Sequence, residues 1–209
     1  MHPILSYALI VLAGYLLGSV NLAYFIARRR GIDILQTGTG NPGASNAMML
    51  LGWKTGILVG LHDIGKAFLA AWLAGLLFPE LPLSRELAGA ACVLGHLFPF
   101  YLAFRGGKGF ASTLGMIAAL NWRFALVLGV AIIVVVLITD YIVAGTVLTV
   151  VSYPIYCLAT RQLIAAAILA GISLIILFKH RENFVRIIKG TEVGLRRANR
   201  GELRVDREK

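Results

Sequence analysis

Acidic residues are scarce in this chain: ten Asp and Glu stand against 20 Lys and Arg, for a formal charge of +10 over 209 residues. Charged residues of both signs make up only 14% of the total. A chain so poor in charge does not form a soluble globular domain. The positive excess is confined to a few short loops and the C-terminal stretch, which excludes a nucleic-acid partner and points to membrane topology. Cysteine is nearly missing. Cys92 and Cys157 lie inside apolar runs without metal-ligand spacing, so they read as core side chains, and neither a metal nor a cofactor is expected. No fixed-period repeat and no low-complexity linker divides the chain. Also absent are a Gly-x-Ser-x-Gly elbow, a His-x-x-x-x-Asp pair and a cysteine placed to attack, so no protein nucleophile is expected.

What is abundant is apolar length. The chain is 58% hydrophobic with a mean hydropathy of +0.81. A bilayer-crossing helix needs about 20 mostly apolar residues. Candidates are Ile4–Ala27, Gly56–Phe78, Leu87–Phe104, Phe110–Leu120, Trp122–Ile138, Tyr141–Ala159 and Leu163–Phe178, the fourth being a short span or a re-entrant helix. The first lacks a basic start, exceeds a signal-peptide core and precedes Arg28-Arg29-Arg30, which reads as a retained span with a stop-transfer flank. With seven crossings, only Arg85, Arg123 and Arg161 of the 20 Lys and Arg fall on the outer side, and Lys66 lies within a span. The positive-inside rule therefore predicts an all-α integral membrane protein: a seven-transmembrane-helix bundle, N-terminus out and C-terminus cytoplasmic. Residues 1–192 form one membrane domain, and 193–209 a basic cytoplasmic tail attracted to membrane lipid.

This topology gathers three polar stretches on the cytoplasmic face. One is Gly38-Thr39-Gly40-Asn41-Pro42-Gly43-Ala44-Ser45-Asn46. It offers backbone N–H groups, amides and hydroxyls to a polyoxygen ligand, or is a turn whose Ser45 or Asn46 caps a helix. Another is Arg105-Gly106-Gly107-Lys108-Gly109, preceded by His96 and followed by Ser112 and Thr113. Glycines around a lysine, before a helix start, suit a phosphate oxygen, although the spacing is not that of a Walker loop. The same loop also reads as a tight turn with topogenic charge, and His96 as a hydrogen-bonded structural residue. The last is His180-Arg181-Glu182-Asn183, where His180 and Asn183 share a helix face, on a segment that also reads as an amphipathic juxtamembrane helix. Asp63 and Lys66, three apart within a span, read as an ion pair joining helices before they read as a proton or substrate path.

Taken together, Gly-Thr-Gly-Asn-Pro-Gly-Ala-Ser-Asn, Gly-His-Leu-Phe-Pro with Phe-Arg-Gly-Gly-Lys-Gly-Phe-Ala-Ser-Thr, and His-Arg-Glu-Asn with Lys-Gly-Thr-Glu resemble the PlsY family of bacterial membrane glycerol-3-phosphate acyltransferases. The resemblance runs from about Ala13 to Glu192. It implies a seven-helix bundle in the bacterial inner (plasma) membrane with a cytoplasmic-side active site. It also implies transfer of an acyl group from acyl phosphate to the 1-hydroxyl of glycerol 3-phosphate, giving 1-acyl-glycerol 3-phosphate and phosphate. Carried over, His180, Asn183, Thr39 and Lys108 become catalytic. Gly38, Gly40, Asn41, Gly43, Ala44, Ser45, Asn46, His96, Arg105, Gly106, Gly107, Gly109 and Thr113 become substrate-binding. Thr39 stands where the family usually has serine. Met49 stands where it usually has arginine, and Asp140 precedes a position where it tends to have basic and serine residues. A divergent paralogue with altered acceptor or no catalysis, and a small organophosphate transporter, are the rival expectations.

Overall fold

The computed structural model describes residues 2–194, and all of their regular structure is helical. In chain order the α-helices are α1 (Pro3–Ser19), α2 (Leu22–Arg29), α3 (Ala44–Leu51), α4 (Trp53–Leu77), α5 (Ser84–Leu97), α6 (Phe110–Leu120), α7 (Trp122–Thr139), α8 (Ile142–Ala159), α9 (Leu163–Lys179) and α10 (Arg181–Ile188). The expected tail lies outside the described residues beyond position 194.

Local chemistry sets the boundaries. Pro3 sits in the first turn of α1, where its missing N–H costs nothing. The expected first span is interrupted, because Val20 is extended and the Asn21 Oδ1 accepts from Tyr24 N at 2.9 Å, starting α2 afresh. Asn121 opens α7 in the same way. The third expected span ends early. α5 stops at Leu97 before Phe98-Pro99, a pair that disfavours helix, and residues 98–104 form a short turn with positive φ at Ala103 and Phe104. A hydropathy window does not register such a break, because the turn is as apolar as the helix before it.

Among the described residues, four stretches are long and apolar enough to cross a membrane: Pro3–Arg29, α4, α7 and α8. The pair α9–α10, bent by 50°, makes a fifth. α5, with 14 residues, and α6, with 11, are shorter than a simple crossing requires. These short helices are the inner ones. α5 packs on α1, α4, α6 and α9, and α6 on α4, α5, α7 and α8. α7 instead buries only Leu128 and Ile132 and exposes Val127, Val130 and Ile133.

Small residues hold the inner layer together. Lipid is as apolar as leucine, so helices in a bilayer associate by close backbone approach. Gly14 and Gly18 of α1 lie on Ala88 and Cys92 of α5, where a Cβ on Gly14 would come within 2.6 Å of the Ala88 carbonyl oxygen. Gly95 returns the contact on Tyr15, and Gly115 of α6 sits on the backbone of Ile64 in α4. Cys92, Val93, Leu97, Met116, Ile117 and Ile176 fill the centre, and Cys157 is likewise buried.

Candidate active site

The first polar stretch lies between α2 and α3. Asn46 is fully buried and holds this loop in shape: its Oδ1 accepts from Thr39 N at 3.0 Å, and its Nδ2 donates to the carbonyls of Ile34 and Thr37. Gly38 and Gly40 both have positive φ, and a Cβ on Gly38 would strike the Asn46 amide. From α3, Asn46 thus spends both amide protons and one oxygen lone pair on the preceding loop. Thr39 and Ser45 are exposed, and neither hydroxyl has a partner among the described residues. Asn41 leans its amide over Gly43, which begins α3, and Ala44 opens the helix itself.

The second loop is bound to the end of α5. Gly107 N donates to the His96 carbonyl and Gly106 N to the Leu97 carbonyl, both at 3.1 Å. These two N–H groups therefore cap α5 rather than face a ligand. A Cβ on Gly106 would meet the His96 carbonyl and Pro99, and one on Gly107 would meet the His96 imidazole, so close contact requires glycine here. Of the loop glycines only Gly109 has positive φ, +90°, and it turns the chain into α6. The first N–H groups of α6 have no intrahelical acceptor, and a helix N-terminus of this kind suits an anion. Thr113 spends its hydroxyl on Gly109 O at 2.8 Å, whereas the buried Ser112 Oγ has no partner among the described residues.

Two side chains join the three polar stretches. Arg105 Nη2 donates to Leu35 O at 3.1 Å, tying the second loop to the first. Lys108 Nζ donates to Asn183 Oδ1, tying it to the third. Asn183 Nδ2 donates to Glu192 Oε1 and Arg186 Nε to Glu192 Oε2, each at 2.6 Å. Burial lowers the Lys108 pKa from its ordinary value, and Arg186 adds to this; Glu192 and Glu182 oppose it. His180 is buried just beyond α9, and its Nδ1 lies 2.9 Å from Ile176 O. A carbonyl only accepts, so Nδ1 is assigned the proton and Nε2 keeps its lone pair. Burial pushes His180 down to about 4, the Ile176 hydrogen bond opposes that, and Lys108 adds to it. The ring is neutral at pH 7.

His96 belongs to a different cluster, beneath the glycine loop. Its Nδ1 is 3.1 Å from Lys66 Nζ, and Lys66 pairs with Asp63 at 2.9 Å and donates to Val20 O at 2.9 Å. The ion pair thus joins α4 to the α1–α2 break and to α5. Met49 is half-buried on α3. Asp140 lies against Gly194, at the head of the tail.

Sequence reasoning placed Lys108 and Asn183 in one site, and the structure puts them in contact. It passed over Arg186 and Glu192. Arg186 sits on a strongly amphipathic helix and read as interfacial charge. Glu192 was visible only within Lys-Gly-Thr-Glu, a weak signal on its own.

Fold and site together define an all-helical integral membrane protein, with lysine, histidine, amide and hydroxyl groups gathered where two loops meet α10 at one end of the bundle. The chain belongs to the glycerol-3-phosphate acyltransferase family, whose model matches residues 8–190. It is 40% identical over 199 residues to a glycerol-3-phosphate acyltransferase of Shouchella clausii, covering 90% of this chain and 96% of that one. It is 34% identical over 194 residues to one of Clostridioides difficile, covering 90% and 95%. The crystal structure of PlsY (YgiH), an integral membrane glycerol 3-phosphate acyltransferase, in its glycerol 3-phosphate form superimposes with a TM-score of 0.84 at 31% identity, over 91% of this chain and 96% of that one. The lysophosphatidic acid form of PlsY gives a TM-score of 0.81 at 31% identity, over 90% and 95%.

Proposed function

We propose that this protein transfers a fatty acyl group from acyl phosphate to the 1-hydroxyl of sn-glycerol 3-phosphate, releasing 1-acyl-glycerol 3-phosphate and phosphate. The observation that carries this reading is the junction of two loops and α10 through Arg105–Leu35 and Lys108–Asn183 in a chain of this family. Both substrates bring a phosphate, and the junction brings what a phosphate requires. It has the Lys108 ammonium and the open N–H groups of α6, with the Thr39 and Ser45 hydroxyls on the neighbouring loop.

The acyl-phosphate carbonyl is already activated by its phosphate leaving group. Attack by the glycerol hydroxyl forms the ester C–O bond, the bond to phosphate breaks, and the hydroxyl proton goes to a substrate phosphate. The protein's share is positioning and charge stabilisation. Lys108 neutralises the departing phosphate. Asn183 holds the Lys108 ammonium in place, and the lone pair on His180 Nε2 accepts from the acceptor's other hydroxyl, the 2-OH, which orients the substrate and leaves the 1-hydroxyl proton free to pass to the phosphate. The apolar outer faces of the helices give the acyl chain a route from the lipid. In this reading the chain crosses a bacterial inner membrane seven times, with α5 and α6 as the short inner crossings and the loop junction on the cytoplasmic side.

The test is a donor comparison. Purified protein is given labelled glycerol 3-phosphate with acyl phosphate, acyl-coenzyme A or acyl carrier protein thioester. Labelled 1-acyl product with acyl phosphate alone supports the reading; product only with a thioester overturns the donor assignment.

A further inference from the structure

Beneath the glycine loop lies a buried set of ionisable side chains that the proposed chemistry does not use. Asp63, Lys66 and His96 are 3%, 4% and 4% exposed. An ammonium has three N–H groups and no acceptor. Lys66 spends one on the Val20 carbonyl, freed by the α1–α2 break, one on Asp63 Oδ1 and one on His96 Nδ1. Asp63 Oδ1 also lies 3.3 Å from His96 Nδ1, but facing an ammonium that ring nitrogen receives a hydrogen bond. A neutral imidazole then carries its proton on Nε2. Nε2 makes no hydrogen bond among the described residues, and it faces Gly107, where a Cβ would collide with it. It is a donor aimed at the loop that carries Lys108.

We propose that Lys66 and Asp63 lock His96 as its Nε2–H tautomer, and that this N–H donates to a phosphate oxygen seated on the Gly106–Gly109 loop. The proposal rests on the acyl-transfer reading for the source of that phosphate, which is acyl phosphate or glycerol 3-phosphate. His96 is then a substrate-binding residue, while Lys66 and Asp63 position it. A neutral donor there satisfies the phosphate without placing a second cation beside Lys108. It also gives the loop glycines a reason beyond turning: at Gly107 any side chain would separate the imidazole from the ligand.

The test combines tautomer, binding and kinetics. Nitrogen-15 spectra of histidine-labelled protein in lipid nanodiscs, with the His96 signal identified by its loss in His96→Gln, report which ring nitrogen carries the proton. The expected result is Nε2–H, with a signal that moves when inorganic phosphate is added. In Lys66→Met the proton should move to Nδ1 and the response to phosphate should vanish. His96→Gln places an amide N–H near the Nε2 position and should retain several times more of kcat/KM than His96→Asn. His96→Asn places it near Nδ1 and should lose about tenfold or more. That loss should appear as a raised KM for acyl phosphate or for glycerol 3-phosphate, whichever supplies the oxygen. A wild-type proton on Nδ1, a signal indifferent to phosphate, or a wild-type KM in His96→Asn overturns the proposal. If His96→Gln is also inactive, the phosphate response of the wild-type signal decides. A wild-type protein that answers phosphate at Nε2–H but transfers no acyl group would sink the acyl-transfer reading and leave this inference standing.

Discussion

Lys108 Nζ donates to the side-chain oxygen of Asn183, 75 residues away in sequence. A lysine on a glycine loop has a flexible stem, and the amide fixes where its charge sits. Glu192 fixes the amide in turn. If this contact organises the site, the two residues act as a unit. Lys108→Ala should lower kcat/KM at least roughly tenfold, because a charge-assisted contact is worth about 1.5–3 kcal/mol. Asn183→Ala should lower it as well, and the double variant should lose less than the sum of the two. The coupling should be on the order of 0.5–3 kcal/mol. Additive losses would mean that the residues serve the reaction separately.

Gly107→Ala tests the loop's contact with α5. The added methyl leaves the charge of the loop unchanged but runs into the His96 ring. Because φ is not positive at Gly107, the obstacle is the ring and not the backbone. Phosphate-dependent KM values should rise severalfold, and the melting temperature should fall, because overpacking a buried contact costs about 1–3 kcal/mol. Gly107→Ala combined with His96→Ala should insert without the collision. A Gly107→Ala protein with wild-type kinetics would show that the imidazole can move aside freely.

The site was partly legible in the sequence for a physical reason. Lys108, His180 and Asn183 are polar groups at the ends of apolar runs, where polarity is expensive, so they stand out. Arg186 and Glu192 sit in a segment where charge is ordinary, so nothing in the composition marks them. The long helices α4, α7 and α8 were legible by length. The break at Asn21 and the early stop of α5 at Leu97 depend on one capping amide and one proline, which leave no trace in average hydropathy. Nor was the fate of the Gly106 and Gly107 N–H groups visible, because it depends on the two carbonyls at the end of α5.

His180 predicts a pH dependence with a definite sign. Its folded pKa of about 4 lies below the ordinary 6.5. Between these values the unfolded chain holds a proton that the folded protein does not. Stability is therefore full above pH 6.5 and falls as pH drops towards 4. His180→Asn keeps a donor for the Ile176 carbonyl and cannot titrate, so its melting temperature should fall less between pH 7 and 5. Since it also loses the Nε2 lone pair, its kcat should drop about tenfold or more. An unchanged kcat would remove His180 from the reaction.

The seven-crossing topology is tested by single cysteines at exposed positions. Gln36→Cys and Lys189→Cys should be shielded from an impermeant thiol reagent added outside intact cells, and Glu80→Cys should react. The native Cys92 and Cys157 are buried and should stay silent. Labelling at Lys189→Cys but not at Glu80→Cys would invert the model.

The central claim is acyl transfer from acyl phosphate at the Lys108 loop. Its most direct measurement is steady-state phosphate release by purified, monodisperse protein supplied with acyl phosphate, with and without glycerol 3-phosphate. The prediction is release that requires both substrates, matches the ester formed and falls at least roughly tenfold in Lys108→Ala. Release that ignores glycerol 3-phosphate, or a Lys108→Ala protein working at the wild-type rate, would contradict it.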